Sequence, residues 1–260
     1  IGPLAALIDS LAIRDRIPQI EVAAADSATV LVLRVLAPLA DGDAAKLRAF
    51  GGAHRVEFWV QPGGPDTAVP LDPPGTTLTY RLEEFAVELA SGPLDFVQVN
   101  GALNERMVAQ ALELLAPCSS DAVLDLYCGL GNFTLPLARR AARVHGVEGD
   151  AALVARARRN AQRNGIANVD FAVADLAADP RADPRAEPWA RGRWDRVLLD
   201  PPRVGAREVL PVVAGCGAAR IVYVSCHPAS LARDAGLLVH EHGFRLLAAG
   251  VMDMFPHTAH

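Results

Sequence analysis

The chain has 260 residues, of which 51% are hydrophobic and 21% are charged, and its formal net charge is −5. This composition is typical of a globular protein with one large or two ordinary domains, and the acidic balance argues against a nonspecific nucleic-acid binder. No stretch approaches 18 apolar residues without a charge, so we predict no membrane-spanning segment. The first residues do not resemble a signal peptide, which has a basic segment followed by an apolar one.

Four cysteines are scattered along the chain, at positions 118, 128, 216 and 226. They form no Cys-x-x-Cys pair and have no histidine pair nearby, which argues against a zinc or iron–sulfur site within this chain. A disulfide framework is also not expected in a chain of this size. We therefore predict no metal in this chain and a cytoplasmic location.

Residues 1–92 have the pattern of a small mixed α/β domain. The predicted elements, in chain order, are a strand at 27–36, a short helix closed by glycine at 41–52, a strand at 54–62 and further strand within 76–89. Glycine and proline cluster between these elements and again at 91–93, where we place the domain boundary. The sequence shows no catalytic constellation here, so we predict a binding or positioning domain.

Residues 93–260 alternate short apolar strands with helices. Strands are predicted at 122–128, 143–148, 168–175, 195–200, 220–226 and 244–253, and helices at 104–116, 133–141, 150–164, 206–214 and 229–242. This alternation implies a parallel sheet with helices on both faces. We predict a Rossmann-like, doubly wound α/β domain that binds its ligands beyond the carboxyl ends of the strands.

A carboxylate or a thiol closes five successive predicted strands of this part. In chain order they are Asp125 with Cys128, then Glu148, Asp175, Asp200 and Cys226. The carboxyl ends of parallel strands meet at one edge of a sheet, so we expect these side chains to share a site. Strand ends are often polar because they are exposed to solvent. Exposure alone does not explain a carboxylate or a thiol at the ends of five successive strands.

The sequence LDLYCGLGNF (124–133) places a Gly-x-Gly turn between a strand and its helix. Glycine permits a tight turn and close approach of the backbone to a ligand, and Glu148 could accept hydrogen bonds from two ribose hydroxyls. Bulky residues follow Gly131 where a pyrophosphate would need room, which favours S-adenosylmethionine over a dinucleotide. Asp125 could either orient the loop or receive the ammonium group of the methionine moiety.

The sequence LLDPPRVG (198–205) contains the Asp-Pro-Pro of amino methyltransferases, but Arg203 stands where those enzymes have an aromatic residue. Adenine N-methylation is therefore disfavoured, and Cys226 on the next strand becomes the candidate nucleophile. A thiolate that adds to C6 of uracil makes C5 reactive toward a methyl sulfonium. Taken alone, Cys226 could also be a core residue. We interpret Cys118, Cys128 and Cys216 as structural.

Five segments together resemble the RNA 5-methyluridine methyltransferases: FVQVNGALNERMVAQAL, VLDLYCGLGNFTLPLA, VLLDPPRVG, IVYVSCHPASLARD and DMFPHTAH. The resemblance covers about residues 94–260, and QVN and GNFTLPLA are more similar to members that act on bacterial 23S ribosomal RNA than to those that act on transfer RNA. It implies that Cys226 is the nucleophile. It also implies an S-adenosylmethionine pocket lined by Gln98, Tyr127, Asn132, Glu148, Asp175 and Asp200, with Asp200 also able to face the target base.

The chain departs from the family pattern in three respects. His227 stands where the family usually has asparagine. The proton-abstracting glutamate of the family lies two residues beyond HTAH, and full-length members carry an N-terminal RNA-binding barrel and a four-cysteine iron–sulfur site that no cysteine here matches. We therefore expect a fragment, namely part of a central RNA-facing domain (1–92) followed by most of the methyltransferase domain (93–260), with an iron–sulfur cluster only in the full-length parent.

The predicted partner is ribosomal RNA, and we expect a monomer. Methylation of a transfer-RNA uridine or of another ribosomal site remains open, as does cytosine C5 methylation, which shares the thiol chemistry. The fragment could also be a binding module without turnover. We interpret His257 and His260 as packing around the floor of the active site, and the arginines of the 150–164 helix as a solvated face.

Overall fold

The computed structural model describes residues 1–73, 75–178 and 188–255. The chain divides into two compact units, one comprising Ile1–Arg81 with Ala90–Val97 and the other Leu82–Leu89 with Gln98–His260. Each unit has its own sheet. Assignment of residues 1–92 as an RNA-facing domain stays a prediction. Within the described residues, no helix is long and apolar enough to span a bilayer.

The first unit is built on a four-stranded sheet. Its elements are α1 (Gly2–Ser10), β1 (Gln19–Ala24), β2 (Thr29–Arg34), α2 (Asp41–His54), β3 (Glu57–Gln61), β4 (Val69–Pro70) and β5 (Leu78–Leu82). The sheet order is β1-β2-β3-β4, and β2 runs parallel to β3 but antiparallel to β1. Residues 30–33 of β2 are buried on both faces, in two separate apolar clusters, which explains why this strand is a continuous apolar run.

The predicted end of α2 was wrong. The helix continues through the two glycines at 51 and 52 to His54, and Arg55 closes it in the left-handed conformation with φ 55°. Its backbone N–H donates to the carbonyl of Gly51. The predicted strand within 76–89 is also divided, because a 3-10 turn at Glu83–Phe85 separates β5 from β6 (Val87–Ser91).

The second unit is a five-stranded parallel sheet with helices, so the predicted Rossmann-like α/β class is confirmed. Its elements after β6 are α3 (Gly101–Leu115), β7 (Ala122–Leu126), α4 (Thr134–Ala138), β8 (Arg143–Glu148), α5 (Ala151–Arg163), β9 (Val169–Val173), α6 (Pro188–Arg191), β10 (Arg196–Leu199), α7 (Leu210–Gly215), β11 (Arg220–Tyr223) and α8 (Pro228–His240). All residues of β7 are buried.

The strand order of this sheet is β11-β10-β7-β8-β9, and every neighbouring pair is parallel. The chain therefore proceeds outward in one direction from β7 through β8 to β9, and in the other through β10 to β11. Ligands of open α/β sheets bind where this direction reverses, beyond the carboxyl ends of the strands. Here the reversal lies between β7 and β10, which places the candidate site after these two strands.

The predicted strand at 244–253 was wrong. The described residues contain no strand there, and Leu246 and Leu247 are each 64% exposed. In the described sheet β11 pairs with β10 alone. An apolar run forms a strand only when a neighbouring strand accepts its backbone hydrogen bonds, and here that pairing is not made.

Candidate active site

The turn after β7 has an unusual backbone. Tyr127, Gly129 and Gly131 all have positive φ, at 64°, 55° and 102°. At Gly131 a side chain would be strained by the φ value, and its Cβ would also lie 3.2 Å from Cγ of Leu135. A Cβ at Gly129 would meet no heavy atom within 4 Å, so the turn borders open space.

Asp125, near the end of β7, is fully buried. Its Oδ2 accepts a hydrogen bond of 2.5 Å from the Thr134 hydroxyl of α4, so the carboxylate fastens the start of the helix that follows the turn. Its Oδ1 has no hydrogen-bond partner within the described residues. The pKa of Asp125 is raised to about 7, chiefly by burial; the hydrogen bond from Thr134 lowers it, and the charges of Asp200 and Glu148 add to the rise.

Glu148 at the end of β8 is held by two backbone N–H groups. Oε2 accepts from Gly129 at 3.1 Å, and Oε1 accepts from Asp150 at 3.1 Å. The carboxylate is therefore fixed beside the glycine turn, and each oxygen keeps a lone pair for a further donor. This is the position at which the sequence predicts an acceptor for ribose hydroxyls.

Asn132 belongs to a reciprocal amide pair that the sequence alone does not indicate. Its side chain donates to Asn104 of α3 and accepts from it, both at 2.9 Å. Asn104 is 1% exposed. The pair joins α3 to the glycine turn, and Gln98 lies half-buried three residues before α3 begins. No local signal indicates the contact, because the two asparagines are 28 residues apart in the sequence.

The remaining predicted pocket residues differ in their surroundings. The Tyr127 hydroxyl donates to the carbonyl of Leu176 at 3.3 Å. Asp200, which follows β10, is half-buried, and burial raises its pKa to about 6. Asp175 is exposed, lies two residues beyond β9, and accepts from the backbone N–H of Ala177 at 2.8 Å. The sheet order thus brings Asp125, Glu148 and Asp200 onto adjacent strands, with Asp175 at the outer strand.

Cys226 is exposed and lies in the loop between β11 and α8, three residues beyond the strand. In contrast, Cys128 and Cys216 are buried, and burial raises the pKa of both thiols. Cys118 is exposed, in the turn before β7. Cys226 is therefore the exposed thiol that follows a strand at the carboxyl edge of the sheet.

His227 takes the capping position of α8. Its Nδ1 accepts from the backbone N–H of Ser230 at 3.3 Å. The Ser225 hydroxyl oxygen accepts from the N–H of His227 and donates to its carbonyl, each at 3.1 Å. The imidazole thus does what an asparagine side chain does at a helix start, so the departure from the family pattern keeps the turn that presents Cys226.

Residues 257 and 260, the two histidines of the HTAH motif, lie outside the described residues. The described part of the chain contains no group of three or more His, Cys, Asp or Glu side chains that could hold a metal ion.

Residues 84–260 match the model of the tRNA (uracil-5-)-methyltransferase family. The chain belongs to this family. It is 58% identical over 260 residues to the 23S rRNA (uracil(1939)-C(5))-methyltransferase RlmD of Stenotrophomonas maltophilia strain K279a, and 55% identical over 260 residues to that of Xanthomonas campestris pv. campestris strain 8004. Each alignment covers 100% of this chain and 58% of the relative, so the chain spans somewhat over half the length of these relatives.

Two solved structures have a similar fold. The tRNA (uracil-54, C5)-methyltransferase of Pyrococcus abyssi, in complex with S-adenosyl-L-homocysteine, matches with a TM-score of 0.67 at 24% identity, over 89% of this chain and 54% of that one. The putative transferase PH0793 of Pyrococcus horikoshii matches with a TM-score of 0.55 at 17% identity, over 94% and 88% of the two chains. The family that the sequence motifs predicted is therefore confirmed.

Proposed function

We propose that the protein transfers a methyl group from S-adenosylmethionine to C5 of a uridine in 23S ribosomal RNA. The observation that carries this proposal is the exposed Cys226 in the loop after β11, on the same sheet edge as Asp125, Glu148 and Asp200. The target that we propose is the nucleotide given as 1939 in the names of the relatives, since these are 58% and 55% identical to the whole chain.

The glycine turn and its carboxylates fit S-adenosylmethionine, whose sulfonium supplies an electrophilic methyl group. The buried Oδ1 of Asp125, which lacks a partner in the described residues, would accept from the ammonium of the methionine moiety. Glu148 would accept from the ribose hydroxyls. Because a bound cation favours the charged carboxylate, the pKa of Asp125 would then fall from about 7. Gln98, Tyr127, Asn132, Asp175 and Asp200 would complete the pocket.

The thiol has the chemistry that uracil C5 requires. The Cys226 thiolate would add to C6, and the electron pair displaced onto C5 would take the methyl group from the sulfonium, which leaves as the thioether S-adenosylhomocysteine. Loss of the C5 proton to a base, which the family resemblance places two residues beyond HTAH, followed by departure of the thiolate, would restore the ring with the methyl group in place. Because Cys226 is exposed rather than packed among aliphatic groups, a uracil ring can reach it without rearrangement of the core.

The target uridine would have to be single-stranded or turned out of its helix, because the C5–C6 edge cannot reach a thiol within a stacked duplex. Arg203 is exposed on the loop after β10, where its guanidinium could contact RNA phosphate or the uracil carbonyl. We propose a monomer that acts in the bacterial cytoplasm, where ribosomal RNA is present. An iron–sulfur cluster in a longer parent stays a prediction.

The test is methyl transfer to two RNAs, a 23S fragment and a transfer RNA, by the full-length wild-type protein and by two cysteine variants of it. We expect 5-methyluridine, detected by mass spectrometry of nucleosides, in a 23S fragment that contains the target, and no product in transfer RNA. Cys226→Ser should lower the rate by at least about 10³-fold, because a hydroxyl is a far poorer nucleophile at neutral pH.

Cys118→Ser is the matched control, because Cys118 is also exposed but precedes β7. It should retain the wild-type rate. Product in transfer RNA alone, 5-methylcytidine in any RNA, or an active Cys226→Ser would each contradict the proposal.

A further inference from the structure

An ionic cluster around one buried carboxylate lies next to the proposed active site but is not part of it. Asp234 of α8 is fully buried, although carboxylates are seldom buried to this extent. Its Oδ2 accepts two hydrogen bonds of 2.7 Å, from the backbone N–H of Ala206 and from the hydroxyl of Tyr223. Its Oδ1 accepts from the Arg233 guanidinium at 2.7 Å. We call Tyr223, Arg233 and Asp234 the clamp.

The two donors to Oδ2 come from different parts of the edge. Ala206 ends the loop after β10, which carries Asp200 and Arg203. Tyr223 is the last residue of β11, three residues before Cys226. A single carboxylate oxygen therefore holds the loop of the proposed base-facing residues and the strand that leads to the proposed nucleophile.

Arg233 fastens the same loop from a second side. Its guanidinium donates to the carbonyl of Val204 at 2.8 Å, while Val204 itself is 73% exposed. Gly205, between the two held residues, has φ 89°, and a Cβ there would lie 2.5 Å from Oδ2 of Asp234. The loop backbone thus approaches the clamp more closely than any other residue type would permit.

We propose that Asp234 is a positioning residue that sets the relative placement of the β10 loop and of Cys226. The inference rests on the proposed function, in which both loops must contact one uracil ring. A displacement of about 1 Å between reacting groups can lower a rate about 10²-fold. Because Asp234 holds both the β10 loop and the end of β11, the distance between the β10 loop and Cys226 is fixed before RNA binds.

Hydrogen exchange tests whether Asp234 holds the β10 loop and β11 together, and it does not require catalytic turnover. Asp234→Asn should speed exchange at the Ala206 amide and in residues 224–227 by about fivefold, because it weakens the hydrogen bonds on both sides. Tyr223→Phe removes only the hydroxyl and keeps the core volume. It should speed exchange in 224–227 and leave Ala206 less affected.

The control is Asp121→Asn. Asp121 is also a buried carboxylate, pairs with Arg196 at 3.5 Å and accepts from the N–H of Cys118 at 2.8 Å, but it precedes β7 at the opposite edge of the sheet. This variant should be destabilised without faster exchange in 224–227. Unchanged exchange of 224–227 in both clamp variants would overturn the inference.

Kinetics then test the functional part. In Asp234→Asn we expect kcat for methyl transfer to fall about 10²-fold while KM for S-adenosylmethionine stays within about twofold, and in Tyr223→Phe a smaller fall in kcat alone. An equal fall in kcat in Asp121→Asn would mean that the clamp only stabilises the fold. A full-length wild-type protein that methylates no RNA would refute the proposed function, whereas the exchange result would still decide whether Asp234 couples the β10 loop to β11.

Discussion

The loops after β7 and after β11 lie at the same edge of one sheet, but they are organised differently. Around the β7 loop the polar side chains are buried or already bonded to protein, as Asp125 of β7 is to Thr134 and Glu148 of β8 is to Gly129. In the β11 loop Cys226 is exposed, and the hydrogen bonds of Ser225 and His227 are local. The difference supports the proposal of a preformed cofactor side and an open side that RNA would complete.

Apart from loss of the Cys226 thiol, the largest effect should come from removing the acid that fixes the β7 loop. Glu148→Ala loses both backbone hydrogen bonds and the proposed ribose acceptor, so we expect affinity for S-adenosylmethionine to fall by about 3 kcal/mol, or roughly 100-fold. Titration calorimetry measures it. Asp170→Ala, at an exposed position of β9, is the control and should bind normally. Equal affinities for Glu148→Ala and wild type would show that this loop does not hold the cofactor.

The next effect concerns pH, through the raised pKa of Asp125. Burial raises this pKa from 3.8 to about 7, so the folded protein binds a proton more tightly than the unfolded chain does. The resulting stability is fully present below the unfolded pKa and is lost as pH rises through about 7.

Between pH 5 and pH 8, wild type should therefore lose stability relative to Asp125→Asn by on the order of 2 kcal/mol, as measured by urea unfolding. Asparagine keeps the side-chain volume and can still accept from Thr134. Parallel pH profiles for the two proteins would show that Asp125 is ionised throughout this range.

The smallest effect should come from the helix cap that His227 makes in the β11 loop. His227→Ala removes the cap of α8 and should destabilise the protein by about 1 kcal/mol, whereas His227→Asn should restore the cap to within about 0.5 kcal/mol. Thermal unfolding of the two variants measures the difference. Equal losses for alanine and asparagine would mean that the Nδ1–Ser230 hydrogen bond does not stabilise the helix start.

Local signals were sufficient to predict much of the second unit. The alternation of apolar strands and helices indicated the parallel sheet, and β8 was predicted with its observed bounds, Arg143–Glu148. The Gly-x-Gly turn and the carboxylates after the strands were predictable because each lies within a few residues of a strand end. Cys226 was predicted at a strand end, but β11 is shorter than predicted, so the thiol lies in the following loop.

Contacts between distant positions were not predictable in this way. Asp234 meets Ala206 across 28 residues, and no periodicity in either segment indicates it. The segment 244–253 has the composition of a strand, but composition does not say whether a partner strand is available. Arg55 ends α2 although two glycines precede it, because helix ends depend on where the backbone can complete its hydrogen bonds.

The amide pair between Asn104 and Asn132 has a consequence for how such sequences diverge. Each side chain both donates to and accepts from the other. A substitution at one position alone would remove two hydrogen bonds at once, because the amide of the remaining asparagine would lose both of them. We therefore expect these two positions to covary among homologues, with asparagine kept at both or exchanged at both, so that divergence here proceeds through coupled double changes.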